Sequence, residues 1–509
     1  MSEQEKLFKQ FLPVSTKEWM DKITSDLKGA DFNKKLIWKT NEGFDVKPFY
    51  RKEDTENLPF ISRLPGEFPY IRGTRQNGNN WLIRQNIEVE NFSSANRKAL
   101  DILMKGVDSL GYIIKNPESI NDRNIETLLN GIHFESVELN FLSEGKAKEL
   151  LESFKKIIIK GGIDASKVRG AIEADPLGRL MINGSLCVPV ESGFDYLTSL
   201  TKEAGSLPHF RTIRVDASHF TNAGADTVKE LAFGLSMANE YMIQLTERGI
   251  SSDLAASKIC FTFGTGSNYF FEIAKLRAAR LLWSMVVSAY RPEKSESAVM
   301  EIHSVTGRWN KTIYDPYVNL LRTQTEAMSA VLGGADSLTV DPFDMVFRQP
   351  DEFSERIARN QQLLLKEEAY FDKTADPAGG AWYIEKLTYM IAESSWKLFV
   401  EIDDQGGFLS ALKRGIIQKK INETADIRKS DVSKKKEILL GTNQHPRLSE
   451  TISSSVDYSR IFSSYPDRTD NIVEPVRLFR GSEEFEKLRI SSPEEFKAMF
   501  GSDNESELM

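Results

Sequence analysis

Two hydrophobic rhythms alternate along the chain from about Ile102 onward. Short runs rich in β-branched and aromatic residues, bounded by polar turns, predict strands at Arg211 to Val215 (RTIRV), Ile259 to Phe263 (ICFTF), Val299 to His303 (VMEIH) and Ser337 to Val340 (SLTV). Between them, apolar residues recur at helical spacing over Ala225 to Arg248, Tyr269 to Ala289 and Tyr317 to Leu332. In the second of these, Phe271, Ala274, Ala278, Leu281 and Leu282 share one face and Glu272, Lys275 and Arg280 fall off it, which predicts one buried side and one solvated side. Strand, polar loop and amphipathic helix in repetition is the pattern of a parallel sheet covered by helices. Such strands form an open doubly wound sheet or a closed barrel. The number of units and the lack of a GxGxxG turn favour a (β/α)8 TIM barrel, whose functional face lies beyond the carboxyl ends of the strands. His219, the Thr262 to Gly266 turn (TFGTG) and the His303 to Gly307 segment (HSVTG) are expected on that face, as the lining of a pocket.

Outside this region the rhythm fades. Residues 1–50 mix Phe8, Phe11, Trp19, Phe32 and Trp38 with many lysines, as expected of a helix and an extended arm whose apolar side needs cover from a partner or from its own domain. After about Asp403 the pattern weakens, and Ile417 to Lys436 reads as a solvated helical excursion ending in three exposed lysines. The expected division is an arm at 1–50, a barrel at 51–405, a helical extension at 406–480 and a linker or disordered tail at 481–509. The length of 509 residues exceeds one ordinary core of about 100–200 residues but suits a barrel with appendages.

Composition narrows the function. With 40% apolar and 28% charged residues the chain can build a large core, and its formal charge of −8 with interspersed lysines and arginines gives no footprint for nucleic acid. The N-terminus lacks an apolar run of signal length, and no later stretch approaches roughly 18 apolar residues, so a cytoplasmic protein without a membrane partner is expected. Cys187 and Cys260 stand in no metal-ligand or disulfide spacing, and both are expected to be buried as small apolar residues.

Two of the five histidines, His219 (DASHFTNAGAD) and His303 (EIHSVTGR), fall at predicted strand ends, where an imidazole can bond a carbonyl or a developing oxyanion, act as a general acid, or simply be satisfied by backbone. A metal reading built on Asp216 and His219 lacks further ligands, so none is assigned. The run PYIRGTRQNGNNWLIRQN, Pro69 to Asn86, offers arginines and the amides of Gly73 and Gly78 to a phosphate or carboxylate; the alternative is a surface loop whose arginines pair with acids.

The segments PGEFPYIRG, WLIRQ, SHFTNAGAD, FFEIAKLRAARLLW, TEAMSAVLGGADSL and DPAGGAWYIE, in that order, resemble the methylmalonyl-CoA mutase family. The arm FLPVSTKEWMDKITSDLKGADF and the run IHSVTGRWNKTIYDPYVNLLRTQTEAMSA resemble its small-subunit branch, and the resemblance covers about residues 6 to 480. It implies a barrel that opens for the pantetheine arm of an acyl-CoA, and adenosylcobalamin held between barrel and a C-terminal domain during the exchange of methylmalonyl-CoA and succinyl-CoA. It further implies substrate-facing roles for Tyr70, Arg72, Arg84, Gln85 and His303, and places His219 at the family's catalytic histidine. Four departures accompany it. Asn86 replaces the tyrosine that follows the IRQ motif, Asn79 the arginine used for the CoA phosphates, Val305 a glutamine, and Ser218 the tyrosine beside the histidine. The D-x-H-x-x-G cobalt-ligating motif is absent, and thirty-one residues follow Leu478, so the expectation is that the C-terminal cobalamin-binding domain is missing and adenosylcobalamin is reached only through a partner chain. Three functions follow from these expectations: a non-catalytic barrel paired with a larger homologous catalytic subunit in a heterodimer; an active mutase barrel completed by a separate cobalamin-binding chain; or an acyl-CoA-binding regulatory protein, with Arg72 and Arg84 as its anion contacts.

Overall fold

The computed structural model of the protein describes residues 13–143, 145–452, 456–461 and 471–500. Eight parallel strands close into a barrel: β1 (Leu82–Glu88), β2 (Ser109–Ile114), β3 (Glu138–Ser143), β4 (Gly170–Ala174), β5 (Phe210–Asp216), β6 (Ile259–Thr265), β7 (Ile302–Thr306) and β8 (Ser337–Thr339). Each strand pairs with its sequence neighbours, and β8 closes the ring on β1. The helices between them include Phe92–Leu103 after β1, Thr227–Glu247 after β5, Tyr269–Ala289 after β6 and Glu352–Leu363 after β8. Asn91, Asp226 and Asp351 cap three of these helices by accepting from backbone amides in the first turn, which fixes where each loop gives way to helix.

Two expectations are corrected here. The strand expected at Val299 to His303 begins at Ile302 and continues through the HSVT residues to Thr306, and β6 likewise runs on through Thr265. The TFGTG and HSVTG segments are therefore largely strand, because alternate positions point into a polar barrel interior where Thr262, Gly264 and His303 replace the apolar residues that usually mark a strand. The second correction concerns helix Tyr269–Ala289, which is buried on nearly all sides. Lys275 pairs with Glu230 at 2.6 Å and with Glu272, Arg277 with Glu385 at 2.9 Å and with Asp376, and Arg280 donates to the Gly333 carbonyl at 3.1 Å. Charge on this helix marks internal ion pairs, since helix Trp382–Asp404 covers its outer side.

The arm divides. A two-stranded hairpin, Trp38–Lys39 against Asp45–Val46, lies on the barrel helices, with Trp38 and Phe44 against Phe271 and Tyr50 against Tyr383. Helix Thr16–Asp26, closed at its start by a Ser15–Glu18 capping box, buries none of its residues. Phe8 and Phe11 lie outside the described residues.

Helix Ile416–Ser433 is amphipathic and packed, with Ile417, Ile421 and Ala425 buried, and the lysines at 434–436 are exposed. Residues expected to form a linker instead fold as helices Glu483–Ser491 and Pro493–Ala498, anchored by Phe485, Arg489 and Phe496; residues 501–509 lie outside the described residues. Leading into these helices, the chain from Asn471 crosses the carboxyl-end rim. Its amides donate to the carbonyls of Gly184 beyond β4 (Ile472, 2.8 Å), Asn222 beyond β5 (Phe479, 3.0 Å) and Trp309 beyond β7 (Gly481, 2.7 Å). Cys187 is exposed, against expectation, and Cys260 projects into the barrel from β6. Among the described residues no helix is long and apolar enough to cross a membrane.

Candidate functional site at the barrel axis

Strand pairing fixes which side chains face the axis. Arg84 and Asn86 of β1 stand opposite Ser109 and Gly111 of β2, and round the ring the same face presents Glu138, Asn140, Glu173, Arg214, Asp216, Thr262, His303, Ser337 and Thr339. The interior of a TIM barrel is ordinarily packed with layers of Val, Ile and Leu. Here it is polar and charged, and the charges meet. Arg84 Nη2 reaches Glu173 Oε1 at 2.6 Å, from β1 across the barrel to β4, and Glu173 Oε2 lies 2.9 Å from Arg214 Nη1 of β5 as an ion pair without hydrogen-bond geometry. Arg214 continues to Asp216 Oδ2 at 2.7 Å and to the Thr262 hydroxyl at 3.0 Å. His219, in the short helix Ser218–Asn222, brings Nε2 within 3.4 Å of Asp216 Oδ2. The Arg84 and Glu173 side chains are 4% and 3% exposed, so this crossing is a dry ion pair that occupies the axis.

Electrostatics sets the protonation of the histidines. Burial lowers the His219 pKa, with Arg214 and Arg308 adding to the effect and Asp216 opposing it, so the imidazole is neutral near pH 7. His303 is held well below its usual value by burial together with Arg84 and Arg214, and its Nδ1 lies 2.8 Å from the Ser337 hydroxyl. Neither histidine is a general acid at neutral pH; each is a hydrogen-bonding neutral ring. Burial by itself would raise the Asp216 carboxyl, but Arg214 and the hydrogen bonds from the Ser218 hydroxyl and amide outweigh it and keep the group below its ordinary value. Asp175, which caps helix Pro176–Asn183 and accepts from the Tyr241 hydroxyl at 2.6 Å, is pushed by burial up to about 7.

The structure brings Arg84, Asn86, His219 and His303 into one interior and places the other nominated residues elsewhere. Gln85 points outward, donating to Glu355 and accepting from Arg359, because adjacent residues of a strand face opposite sides. Arg72 lies below the barrel, its guanidinium engaged by Asp376 and Glu385 at 3.0 Å each and by the Ile61 carbonyl. Tyr70 is buried beside it with its hydroxyl 3.3 Å from the Ser295 carbonyl. Arg75 binds Asp336, and Asn79 is buried with its amide on the Val331 carbonyl, so the arginines of this loop at 72 and 75 pair with acids of the same chain. Asn86 fits against Gly111, where an added Cβ would stand 2.0 Å from its Oδ1 and 2.9 Å from Arg84 Nε. Sequence reasoning missed Glu173 and Arg214. The available signal was Arg214 and Asp216 two residues apart in a strand, hence on one face, where a core strand would carry apolar residues.

This geometry defines a (β/α)8 barrel with a polar, ion-paired axis and a neutral histidine at its mouth. The sequence profile described as "Methylmalonyl-CoA mutase" matches residues 39–122 and 118–472, and the chain belongs to the methylmalonyl-CoA mutase family. It is 46% identical over 493 residues to a methylmalonyl-CoA mutase small subunit from Porphyromonas gingivalis, covering 96% of this chain and 79% of that one. It is also 33% identical to a methylmalonyl-CoA mutase of Rhizobium meliloti and 32% identical to the human mitochondrial enzyme, matching 81% and 87% of this chain. Against those two relatives the chain spans only about three fifths of their length, 61% and 62%.

Proposed function

We propose that this chain is a non-catalytic barrel subunit of a cobalamin-dependent acyl-CoA mutase that exchanges methylmalonyl-CoA and succinyl-CoA, held in the cytoplasm to a larger homologous subunit that performs the reaction. The observation that carries this reading is the Arg84–Glu173–Arg214 crossing. An acyl-CoA arm threaded along the axis would have to break two buried ion pairs, and burying either charge unpaired is strongly unfavourable. Asn86 adds to it, since a carboxamide supplies neither the acidity nor the ring face of a phenol. Adenosylcobalamin is tested by its need for a free histidine. Among the described residues His219 is engaged with Asp216, His303 is inside the barrel on Ser337, and His133, His209 and His445 stand away from the axis. These residues do not fit a cobalt ligand at the mouth, and we assign cobalamin to the partner. Pairing is supported by helix Thr16–Asp26, a capped helix with no buried residue, whose Trp19 stays half exposed beside Phe49 and Arg51.

One observation favours a second reading, an active barrel completed by a separate cobalamin-binding chain: His219 is neutral, partly exposed and oriented by Asp216, as a hydrogen-bond donor to a substrate carbonyl would be. The deciding experiment assays the purified chain with adenosylcobalamin and methylmalonyl-CoA, alone, with a free cobalamin-binding module, and with the larger homologous subunit. Our reading expects turnover only in the last mixture and no loss of it in His219→Ala. Turnover in either of the first two mixtures, abolished by His219→Ala, would establish the alternative.

A further inference from the structure

A cavity of about 630 Å³ lies between the barrel and its appendages. The loops that follow β5, β6 and β7 line it, together with the hairpin of residues 38–46 and residues 428–438 at and beyond the end of helix Ile416–Ser433. None of Arg84, Glu173, Arg214, Asp216, His219 and His303 borders it, so this space is separate from the axial site.

Its carboxylates outnumber the cations that serve them. Glu42, Asp226, Glu230, Glu272, Asp431 and Glu437 all line it. Asp226 is held by Lys229, Glu437 by Arg428 at 2.6 Å and by the Trp309 indole at 2.8 Å, and Asp431 loosely by Lys436 at 3.9 Å. Glu230 and Glu272 share a single ammonium, that of the fully buried Lys275, so the trio carries one negative charge too many when both carboxyls are ionised. Burial and Glu272 accordingly hold the Glu230 carboxyl well above its ordinary value, against the pull of Lys275. Beside Glu230, Thr221 is only 8% exposed and its hydroxyl oxygen has no hydrogen-bond partner. The second deficit is at the hairpin turn. Glu42 makes no ion pair among the described residues, and burial with the neighbouring Asp226 pushes its carboxyl up to about 7, which Thr40 and the already engaged Arg428 offset only in part. Lys39, also on the border, is exposed and pairs with none of these acids. Two carboxylates in excess, in a space open to solutes, lack cationic donors, and charges held from solvent are ordinarily paired.

We infer that this cavity binds a short aliphatic diamine, one ammonium on Glu42 and the other on Glu230, Glu272 and the Thr221 hydroxyl, with its carbon chain along Trp38, Ala225 and Ile438. Among the described residues no three carboxylates or imidazoles stand close enough together to hold a metal ion, so the two deficits call for two separate charges on one molecule. An ammonium brings three N–H donors, for which carboxylate and hydroxyl oxygens are the acceptors. The half-exposed ring of Trp38 adds a face on which a cation or its methylene neighbours rest. Such binding requires neither turnover of an acyl-CoA nor a partner subunit.

The test is calorimetric titration of the full chain at pH 8 with putrescine, butylamine and magnesium ions, each at fixed ionic strength against potassium. At that pH alkylammonium groups, with pKa values of about 10, keep their protons while Glu42 is ionised. Putrescine is expected to bind one site per chain and to raise the melting temperature, with butylamine at least about tenfold weaker, because it meets one deficit of the two, and magnesium no different from potassium. Glu42→Gln should weaken putrescine by about tenfold or more and, at a partly exposed turn, leave the fold intact. Thr221→Val guards against a folding defect, since it replaces an unpartnered hydroxyl by a methyl of similar size; it should melt as the parent does and bind putrescine several-fold less tightly. Putrescine indistinguishable from potassium, butylamine binding as tightly, magnesium binding in its place, or a folded Glu42→Gln or Thr221→Val chain that binds putrescine as the parent does would each overturn the assignment.

Discussion

The two sides of this barrel have solved the problem of interior charge in opposite ways. On the β4–β5 side, Glu173, Arg214, Asp216 and His219 form an unbroken series of contacts that ends at the mouth, and the segment from Asn471 to Gly481 is bonded across the rim above it. On the β8–β1 side the strands separate, and Arg84 Nε, Thr339 Oγ1 and Arg359 Nε are left without partners around an open slot. On the first side charge is matched, although Glu173 Oε2 meets Arg214 only as an ion contact; on the second, unpartnered polar atoms border open space. Arg84 joins the two, since its Nη2 serves the first and its Nε borders the second. The lesson is that a polar barrel interior is diagnostic only when its partners are counted: paired charge fills a barrel, and unpaired charge invites a ligand.

The comparison is broken most severely by removing Glu173. Glu173→Ala leaves Arg84 and Arg214 buried with no shared carboxylate, and truncating one member of a buried ion pair costs about 3–5 kcal/mol. Urea denaturation of the parent and variant should show that loss; a change below about 1 kcal/mol would mean that water already enters the axis and that the closed side is not closed.

Asp175 sharpens the same side through pH. Its pKa is raised in the folded chain to about 7 from an ordinary 3.8, so the folded state keeps a proton that the unfolded state releases. Stability from this group is therefore present in full below about pH 4 and is lost as pH rises towards 7, a change on the order of 4 kcal/mol at most. Asp175→Asn still accepts from Tyr241 and Gly178 but cannot ionise, and the difference in unfolding free energy between variant and parent should move in the variant's favour from pH 4 to pH 8. An unchanging difference across that range would show that Asp175 is ionised in the fold.

Restoring the missing phenol is expected to fail. In Asn86→Tyr the ring must enter space where the carboxamide already touches Gly111 and Arg84, and overpacking of this kind costs about 1–3 kcal/mol. The variant should melt earlier than the parent and gain no mutase turnover with adenosylcobalamin, because the axial crossing is intact. Turnover from this single change would show that Asn86 alone, and not the filled axis, separates this barrel from a catalytic one.

Much of this was legible along the chain, and the parts that were not have physical reasons. The βα alternation, the helices at Tyr269–Ala289 and Val318–Leu332 and the closed barrel follow from periodicity, which reports burial against solvent. Periodicity misread Lys275 and Arg280, because an ion pair inside the protein has the pattern of a solvated face. It ended β7 early because His303, on the interior face, and the buried Ser304 and Thr306, on the outer face, give the strand polar residues on both sides. The alternation of a strand could have separated Gln85 from Arg84 and Asn86. The meeting of Arg84 with Glu173 could not have been read at all, since it depends on which strands stand opposite each other after closure.

The smallest expected effect on the isolated chain concerns the arm, where a third solution to exposed chemistry is visible. The hairpin of residues 38–46 is covered by its own barrel, but Trp19 on helix Thr16–Asp26 is 45% exposed and, among the described residues, its ring meets Phe49, 5.2 Å away, and the Arg51 guanidinium. Trp19→Ala removes those two contacts and little burial, so the purified chain should lose about 0.5–1 kcal/mol at most. An aromatic anchor at a subunit interface carries far more, commonly 2 kcal/mol or above. If the proposed larger subunit is the partner, sedimentation of the mixture with it should therefore show association weakened by at least about tenfold, while the melting temperature of the chain alone scarcely moves. Equal loss in both measurements would place Trp19 in the fold of its own subunit, and the uncovered helix would then need an explanation other than a partner.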